Sequence, residues 1–222
     1  MRTVKLEGTT EPILVEKIFC IGRNYAAHAA EMKSDVEANP VVFLKPTTAL
    51  IQNGGRVEVP AFARELHHEV EMVVLIGKGG KNIQKASAYD HVAGYAVGLD
   101  MTLRDVQAEA KKKGLPWTVA KGFDTSAPIS SVVDKRKISD PHDLDITLKV
   151  NGNVRQHSNT KFMLFQVDTI ISYLSTIFTL ERGDLIFTGT PDGVGAVVAG
   201  DVLDAELQSV GSIQVSVAGT KD

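Results

Sequence analysis

A chain of 222 residues with 43% hydrophobic content is long enough to bury a full core, and it fits one large domain as easily as two. A net charge of −3 argues against a general nucleic-acid or anionic-membrane partner, and no apolar run approaches the ~20 residues that span a bilayer. The sole cysteine, Cys20, excludes an internal disulfide, and residues 1–7 lack the apolar stretch of a secretory signal, so a cytoplasmic globular protein is expected.

Residues 17–22 read as a short strand, and Arg23, Asn24 and Tyr25 lead into a helical stretch over 26–32. The polar segment 33–40, ending in Pro40, reads as a mobile surface segment. Strands are expected over 41–44, 56–59, 69–76 and 92–100. Thr102-Leu103-Arg104-Asp105 has the form of a capping box and would start a helix directly after Asp100. Lys111, Lys112, Lys113 and Gly114, with Pro116 beyond, stop that helix. Leu144, Ile146, Leu148 and Val150 alternate as a half-buried strand, and Asn151-Gly152 is a hairpin turn. Val167, Ile170, Ile171, Leu174, Ile177 and Phe178 mark an amphipathic helix, and strands over 184–187, 201–207 and 212–217 finish the chain. Strands outnumber helices without βαβ alternation, so one domain of β-rich α+β class is expected.

Glu69 and Glu71 lie two apart on an apolar strand and therefore share a face. Two carboxylates so placed repel by roughly 4 kcal/mol at ~4 Å and an effective dielectric of about 20. Either a cation sits between them, or they occupy the wet face of an edge strand. Asp100 closes a second apolar run, and oxygen-only ligands of this kind suit Mg²⁺, Mn²⁺ or Ca²⁺ rather than zinc.

His28 and Glu31, three apart on the first helix, make either a general base with its orienting carboxylate or an exposed pair. Arg104 and Gln107 have the same spacing after Asp100 and would either clamp a substrate carboxylate or form a solvated face. Lys121, among small and apolar residues, is a snorkelling surface group or an active-site cation. The turn from Thr188 to Gly195 could hold an anion on its amides or be an ordinary tight turn. It is no nucleotide loop, since Val198 stands where a third glycine is required. Gly-x-Ser-x-Gly is absent, which leaves a serine hydrolase little support, and no second histidine completes the His-Glu-x-x-His arrangement of zinc proteases after His68-Glu69.

Several ordered segments then resemble one family, the fumarylacetoacetate hydrolases, over nearly the whole chain. They are Ile21-Gly22-Arg23-Asn24-Tyr25 with His28 and Glu31, Val42-Phe43-Leu44-Lys45-Pro46, Leu66-His67-His68-Glu69-Val70-Glu71, and Gly94-Tyr95 through Leu99-Asp100-Met101-Thr102 with Arg104-Asp105. Gly114-Leu115-Pro116-Trp117 through Lys121, Val150-Asn151-Gly152 and Thr188-Gly189-Thr190-Pro191 through Gly195 complete the set. The nearest members are the short acylpyruvate hydrolases and oxaloacetate decarboxylases.

The resemblance implies a mixed β-sandwich roll with flanking helices, a single catalytic domain over 1–222 with a lid near 26–39, and a homodimer. It implies Mg²⁺, with Mn²⁺ or Ca²⁺ as alternatives, on Glu69, Glu71 and Asp100. His28 and Glu31 would form the water-activating base. Lys121 would join them in catalysis, and Arg23, Arg104, Gln107 and Thr190 would contact the substrate. The implied activity is hydrolysis of the C–C bond of acylpyruvates, such as acetylpyruvate or fumarylpyruvate, with oxaloacetate decarboxylation at the same site. The alternative is an isomerase or tautomerase acting on oxaloacetate or a 2-hydroxyhepta-2,4-diene-1,7-dioate-type substrate. A non-catalytic 2-oxo-acid binder is a third class, against which the His28–Glu31 pair stands.

Overall fold

Val70–Ile76 is buried on both faces and is apolar at every position but Glu71. Val70, Met72, Val74 and Ile76 enter one core cluster, while Val73 and Leu75 enter a second with Ile18, Cys20, Leu185 and Phe187. The computed structural model describes residues 2–31 and 37–219. In it Val70–Ile76 lies inside a mixed sheet whose path runs Val41–Lys45, Ile18–Gly22, Leu185–Phe187, Val70–Ile76, Val92–Leu99, Ala127–Ile129 and Leu50–Gln52. Ile18–Gly22 pairs with Leu185–Phe187 in parallel, and Val70–Ile76 pairs with Val92–Leu99 antiparallel.

A second sheet, in the order Asn153–Asn159, Asp145–Val150, Val202–Leu207, Gly211–Ala218 and Arg56–Glu58, covers one face of the first. Its alternating inward residues, among them Ile146, Leu148, Leu203, Ala205, Ile213 and Val215, join Val70, Met72 and Val74 in one core. Each such Val, Leu or Ile removed from water contributes about 1.5–3 kcal/mol before entropy is counted. The helices are α1 (Ala26–Glu31), α2 (Arg104–Lys113), α3 (Thr118–Lys121) and α4 (Val167–Ile177). Val167, Ile170, Ile171 and Leu174 of α4 close the same core. The fold is the expected β-rich α+β sandwich. No helix among the described residues is long and apolar enough to cross a membrane.

The Asn151-Gly152 turn has φ of 51° and 77° and joins Asp145–Val150 to Asn153–Asn159 as a hairpin. The capping box is not formed. Thr102 and Leu103 make a short strand against Leu66–His68, and α2 begins at Arg104 with no side-chain cap. The Thr102 hydroxyl is turned instead to Glu69 Oε1 at 3.1 Å, and Asp105 accepts from the Arg64 amide at 3.0 Å. The expected lid near 26–39 meets the described residues at α1 and at 37–39, and its centre, 32–36, lies outside them.

Candidate active site

Strand register brings the three acidic residues together. Val70 pairs with Leu99, Glu71 pairs with Gly98, and the Asp100 amide donates to Glu69 O at 2.8 Å. One ligand oxygen from each of Glu69, Glu71 and Asp100 lies within 4.8 Å of the others, and all three side chains are buried. The wet-edge alternative is excluded, because the strand carrying Glu71 has neighbours on both sides.

Cations surround the cluster. Lys121 Nζ donates to Asp100 Oδ2 at 2.6 Å, Glu69 Oε2 at 2.8 Å and Thr102 Oγ1 at 2.6 Å, and is itself buried. Arg104 Nη2 reaches Glu69 Oε1 at 2.5 Å, and its Nη1 donates to Gln107 Oε1 at 2.6 Å. Lys45 Nζ approaches Asp100 Oδ1 at 2.8 Å from below. Burial would raise the Glu69 carboxyl, but Lys121 and Arg104 outweigh it and hold the group well below the usual carboxylate range. Burial would lower the Lys121 ammonium, but Asp100 and Glu69 keep it above its ordinary value. Glu71 differs: burial, then the charges of Asp100 and Glu69, push it well up, against one hydrogen bond from the Gly189 amide at 2.7 Å.

His28, on α1, is buried, and its Nδ1 stands 3.4 Å from Glu31 Oε2. Glu31 is held from behind by the Gly193 amide at 3.1 Å. Burial pushes the His28 imidazole down in pKa, against the raising effects of Glu69 and Glu31. The turn from Thr188 to Gly195 thus spends the Gly189 and Gly193 amides on two of the protein's own carboxylates. Both positions demand glycine: φ is 97° at Gly189 and 90° at Gly193, and a Cβ at Gly193 would lie 2.3 Å from Arg155 O.

Arg23, His28, Glu69, Glu71, Asp100, Arg104, Gln107, Lys121 and Thr190 all line one pocket with about 420 Å³ of empty space. Glu31 stands behind His28 rather than in the wall. Sequence reasoning passed over Lys45, Thr102 and Gln156. Gln156 accepts from the Val70 amide at 3.0 Å and donates to Thr190 Oγ1 at 2.8 Å, which fixes Thr190 in the wall. The signals for Lys45 were a charge closing an otherwise apolar strand and its place in the resemblance segment Val42-Phe43-Leu44-Lys45-Pro46, neither of which gave it a role.

The donor set fits a hard divalent cation. All three groups are carboxylates, no cation contacts Glu71 within ion-pair distance among the described residues, and Asp100 Oδ1 is buried without a hydrogen-bond donor.

A buried carboxylate cluster suited to a divalent cation, walled by lysine and arginine, thus sits on a β-rich sandwich. The chain belongs to the fumarylacetoacetate hydrolase family: the model of the fumarylacetoacetate (FAA) hydrolase C-terminal domain matches residues 17–218. It is 54% identical over 206 residues to rat (Rattus norvegicus) oxaloacetate tautomerase FAHD1, mitochondrial, covering 93% of each chain. Among solved structures it is similar to fumarylpyruvate hydrolase from Pseudomonas aeruginosa in complex with Mn²⁺ and pyruvate. There the TM-score is 0.94 at 39% identity, covering 98% of this chain and 96% of that one. It is also similar to 2-hydroxyhepta-2,4-diene-1,7-dioate isomerase from Mycobacterium marinum, with TM-score 0.84 at 36% identity, covering 95% and 77%.

Proposed function

We propose that this chain is a divalent-metal-dependent enzyme of 2-oxo acids whose main reaction is the keto–enol tautomerisation of oxaloacetate. The observation that carries it is the buried Glu69–Glu71–Asp100 cluster with Lys121 and Arg104 against it, in a chain 54% identical to a protein named oxaloacetate tautomerase. This reverses the order of the two readings expected from the sequence, where C–C hydrolysis came first.

Mg²⁺ or Mn²⁺ held by Glu69, Glu71 and Asp100 would supply Lewis acidity towards the 2-oxo group. Arg104 and Gln107 bind and orient the adjacent carboxylate, and Thr190 borders the same wall. Lys121, protonated and buried, supplies positive charge that stabilises the oxygen gaining charge as the enolate forms. His28, kept neutral by its burial and oriented by Glu31, takes the C3 proton of the keto form, and the enolate oxygen takes a proton from water to complete the enol. In the reverse direction that O–H proton is lost to water and His28 returns a proton to C3. No bond to carbon other than C–H breaks.

The His28–Glu31 pair also supports a second reading, hydrolysis of an acylpyruvate. There His28 would deprotonate a water that attacks the distal carbonyl, and loss of CO₂ from oxaloacetate would be a side reaction through the same enolate. The similarity to a fumarylpyruvate hydrolase favours keeping it. One experiment separates the readings: follow the enol absorbance of oxaloacetate and pyruvate release from acetylpyruvate, fumarylpyruvate and oxaloacetate, with Mg²⁺, Mn²⁺ and EDTA. Metal-dependent enol decay faster than any pyruvate release supports the tautomerase. Faster pyruvate release from either acylpyruvate overturns it in favour of the hydrolase.

The chain works as a single catalytic domain and, in this reading, as a homodimer. Exposed Leu44, Leu115 and Val119 beside the edge strand Val41–Lys45 offer an apolar face for a second copy. Light scattering at the mass of one 23.9 kDa chain would remove the dimer. The buried, unpaired Cys20 suits a reducing compartment, cytoplasmic as expected or mitochondrial as in the rat relative's name.

A further inference from the structure

The α2 face that carries Arg104 and Gln107 does not end there. Lys111 follows at i+7 from Arg104 and i+4 from Gln107, so the three project from one side of the helix, and all three line the same pocket. Lys111 stands about 6 Å further along the axis than Gln107. Although its stem is exposed, its ammonium lies 5.3 Å from the centre of the Trp117 ring. That ring is itself fixed, edge-on to Phe43 at 5.9 Å and against Gly22, where an added Cβ would meet Cζ3 at 3.6 Å.

Arg23 and Lys111 both line this pocket. Arg23 has φ of 58°, unusual for a residue with a Cβ, and is paired with Glu37 at 3.0 Å. On the outer side of α2, Lys113 pairs with Glu109 at 3.4 Å. Lys111 alone of these meets no carboxylate within ion-pair distance among the described residues. Burial, then the charges of Arg104 and Arg23, push its ammonium down from its ordinary pKa, as expected where cations face one another with no anion between them. A solvated lysine would extend away from that repulsion, whereas this one is folded back over an aromatic seat in the pocket wall.

We propose that Lys111, seated on Trp117 beside Arg23, binds the distal carboxylate of the substrate and makes the site selective for 2-oxo dicarboxylates over 2-oxo monocarboxylates. The inference rests on the 2-oxo-acid reading of the pocket. With the first carboxylate on Arg104 and Gln107, the remaining carbons lead along α2 past Phe43 towards Trp117. A second carboxylate arriving there without Lys111 would face aromatic rings and, as its nearest cation, an Arg23 already paired with Glu37, so its lost hydration would be poorly compensated. An alkyl end would pack on those same rings and would not need the ammonium.

The test is titration calorimetry of the Mg²⁺-loaded protein with oxaloacetate and with 2-oxobutyrate, which carries a methyl where oxaloacetate has its distal carboxylate. The wild type is expected to bind oxaloacetate about tenfold more tightly. Lys111→Met should lose that preference while binding 2-oxobutyrate as before, and Lys111→Arg should restore most of it. In turnover, KM for oxaloacetate should rise about tenfold in Lys111→Met, with a much smaller change in kcat. Equal weakening of both ligands, or no weakening of oxaloacetate, overturns the assignment. If the wild type turns over no oxaloacetate, the tautomerase reading falls, while the binding preference and its loss in Lys111→Met still decide the role of Lys111.

Discussion

Lys45 Nζ stands 2.8 Å from Asp100 Oδ1, with both side chains almost entirely withdrawn from water. The contact is an ion pair without hydrogen-bond alignment, because the ammonium directs its protons to Lys121 O, Ser126 Oγ and Met101 O. Lys45 therefore compensates the Asp100 charge, leaves Oδ1 free for another ligand, and ties the strand Val41–Lys45 to the backbone beside Lys121.

Breaking this pair from the lysine side removes one of the two buried cations on Asp100, leaving Lys121 alone against it, and strips the acceptors that Lys45 serves. Lys45→Met should lower unfolding free energy by about 3–5 kcal/mol. Asp100→Asn on that background should recover part of the loss, so a double-mutant cycle in urea should show coupling. A Lys45→Met protein within about 1 kcal/mol of wild type would refute this account.

Glu71 has the opposite problem, since no cation touches it among the described residues and one amide supports it. In protein stripped with EDTA, Glu71→Gln should therefore raise Tm by a few degrees, the size expected from about 1 kcal/mol. The same substitution should abolish the Tm increase that Mg²⁺ or Mn²⁺ gives the wild type. Thermal melts with and without metal check both signs, and a stripped Glu71→Gln protein less stable than wild type would contradict the first.

Gly189→Ala tests the backbone behind that carboxylate. A Cβ there would lie 2.6 Å from Asn24 Cβ and 3.0 Å from Ile21 O, at φ of 97°. The expected result is a loss of about 1–3 kcal/mol in stability together with weaker Mn²⁺ binding, because the displaced amide no longer holds Glu71. Unchanged Mn²⁺ affinity in a folded variant would separate the turn from the metal site.

His28 must be neutral to accept a proton. Burial disfavours its charged form more than Glu69 and Glu31 favour it, so its pKa lies below the ordinary 6.5. A bound dication would push it the same way. The acid limb of kcat/KM should accordingly fall below pH 6.5, with activity retained above it and lost as pH drops through the lowered value. His28→Asn should reduce kcat/KM about 10²–10⁴-fold and erase the limb. A limb above 6.5 would assign it to another group.

The parts of this molecule that could be read from sequence are those with a strong local period. Val70–Ile76 and the α4 residues Ile170, Ile171 and Leu174 announced themselves by apolar spacing, and Asn151-Gly152 by its backbone demands. The Glu69–Glu71 spacing raised the metal reading because two carboxylates on one strand face need a reason. Strands such as Leu66–His68, Thr102–Leu103 and Gly195–Val197 were invisible, since two or three residues show no period. Thr102 looked like a helix cap because its local sequence allows one, and only the approach of Glu69 redirects its hydroxyl. Whether Lys121 sat in water or in the site was likewise undecidable until Asp100 and Glu69 were brought to it from elsewhere in the chain.

The parallel pairing of Ile18–Gly22 with Leu185–Phe187 bears on how the protein is made. During synthesis the early strand can find Val41–Lys45 soon after both emerge, but its other edge must wait until nearly the whole chain has left the ribosome. For that interval Ile18, Phe19, Cys20 and Ile21 present an apolar strand with an unpaired edge, the kind of surface that invites association between unfinished chains. The Gly189 and Gly193 amides arrive later still. A truncated chain lacking them would carry every acidic ligand and neither of the amides that hold Glu71 and Glu31, so messages that stop early should yield aggregates for quality control rather than partial enzymes.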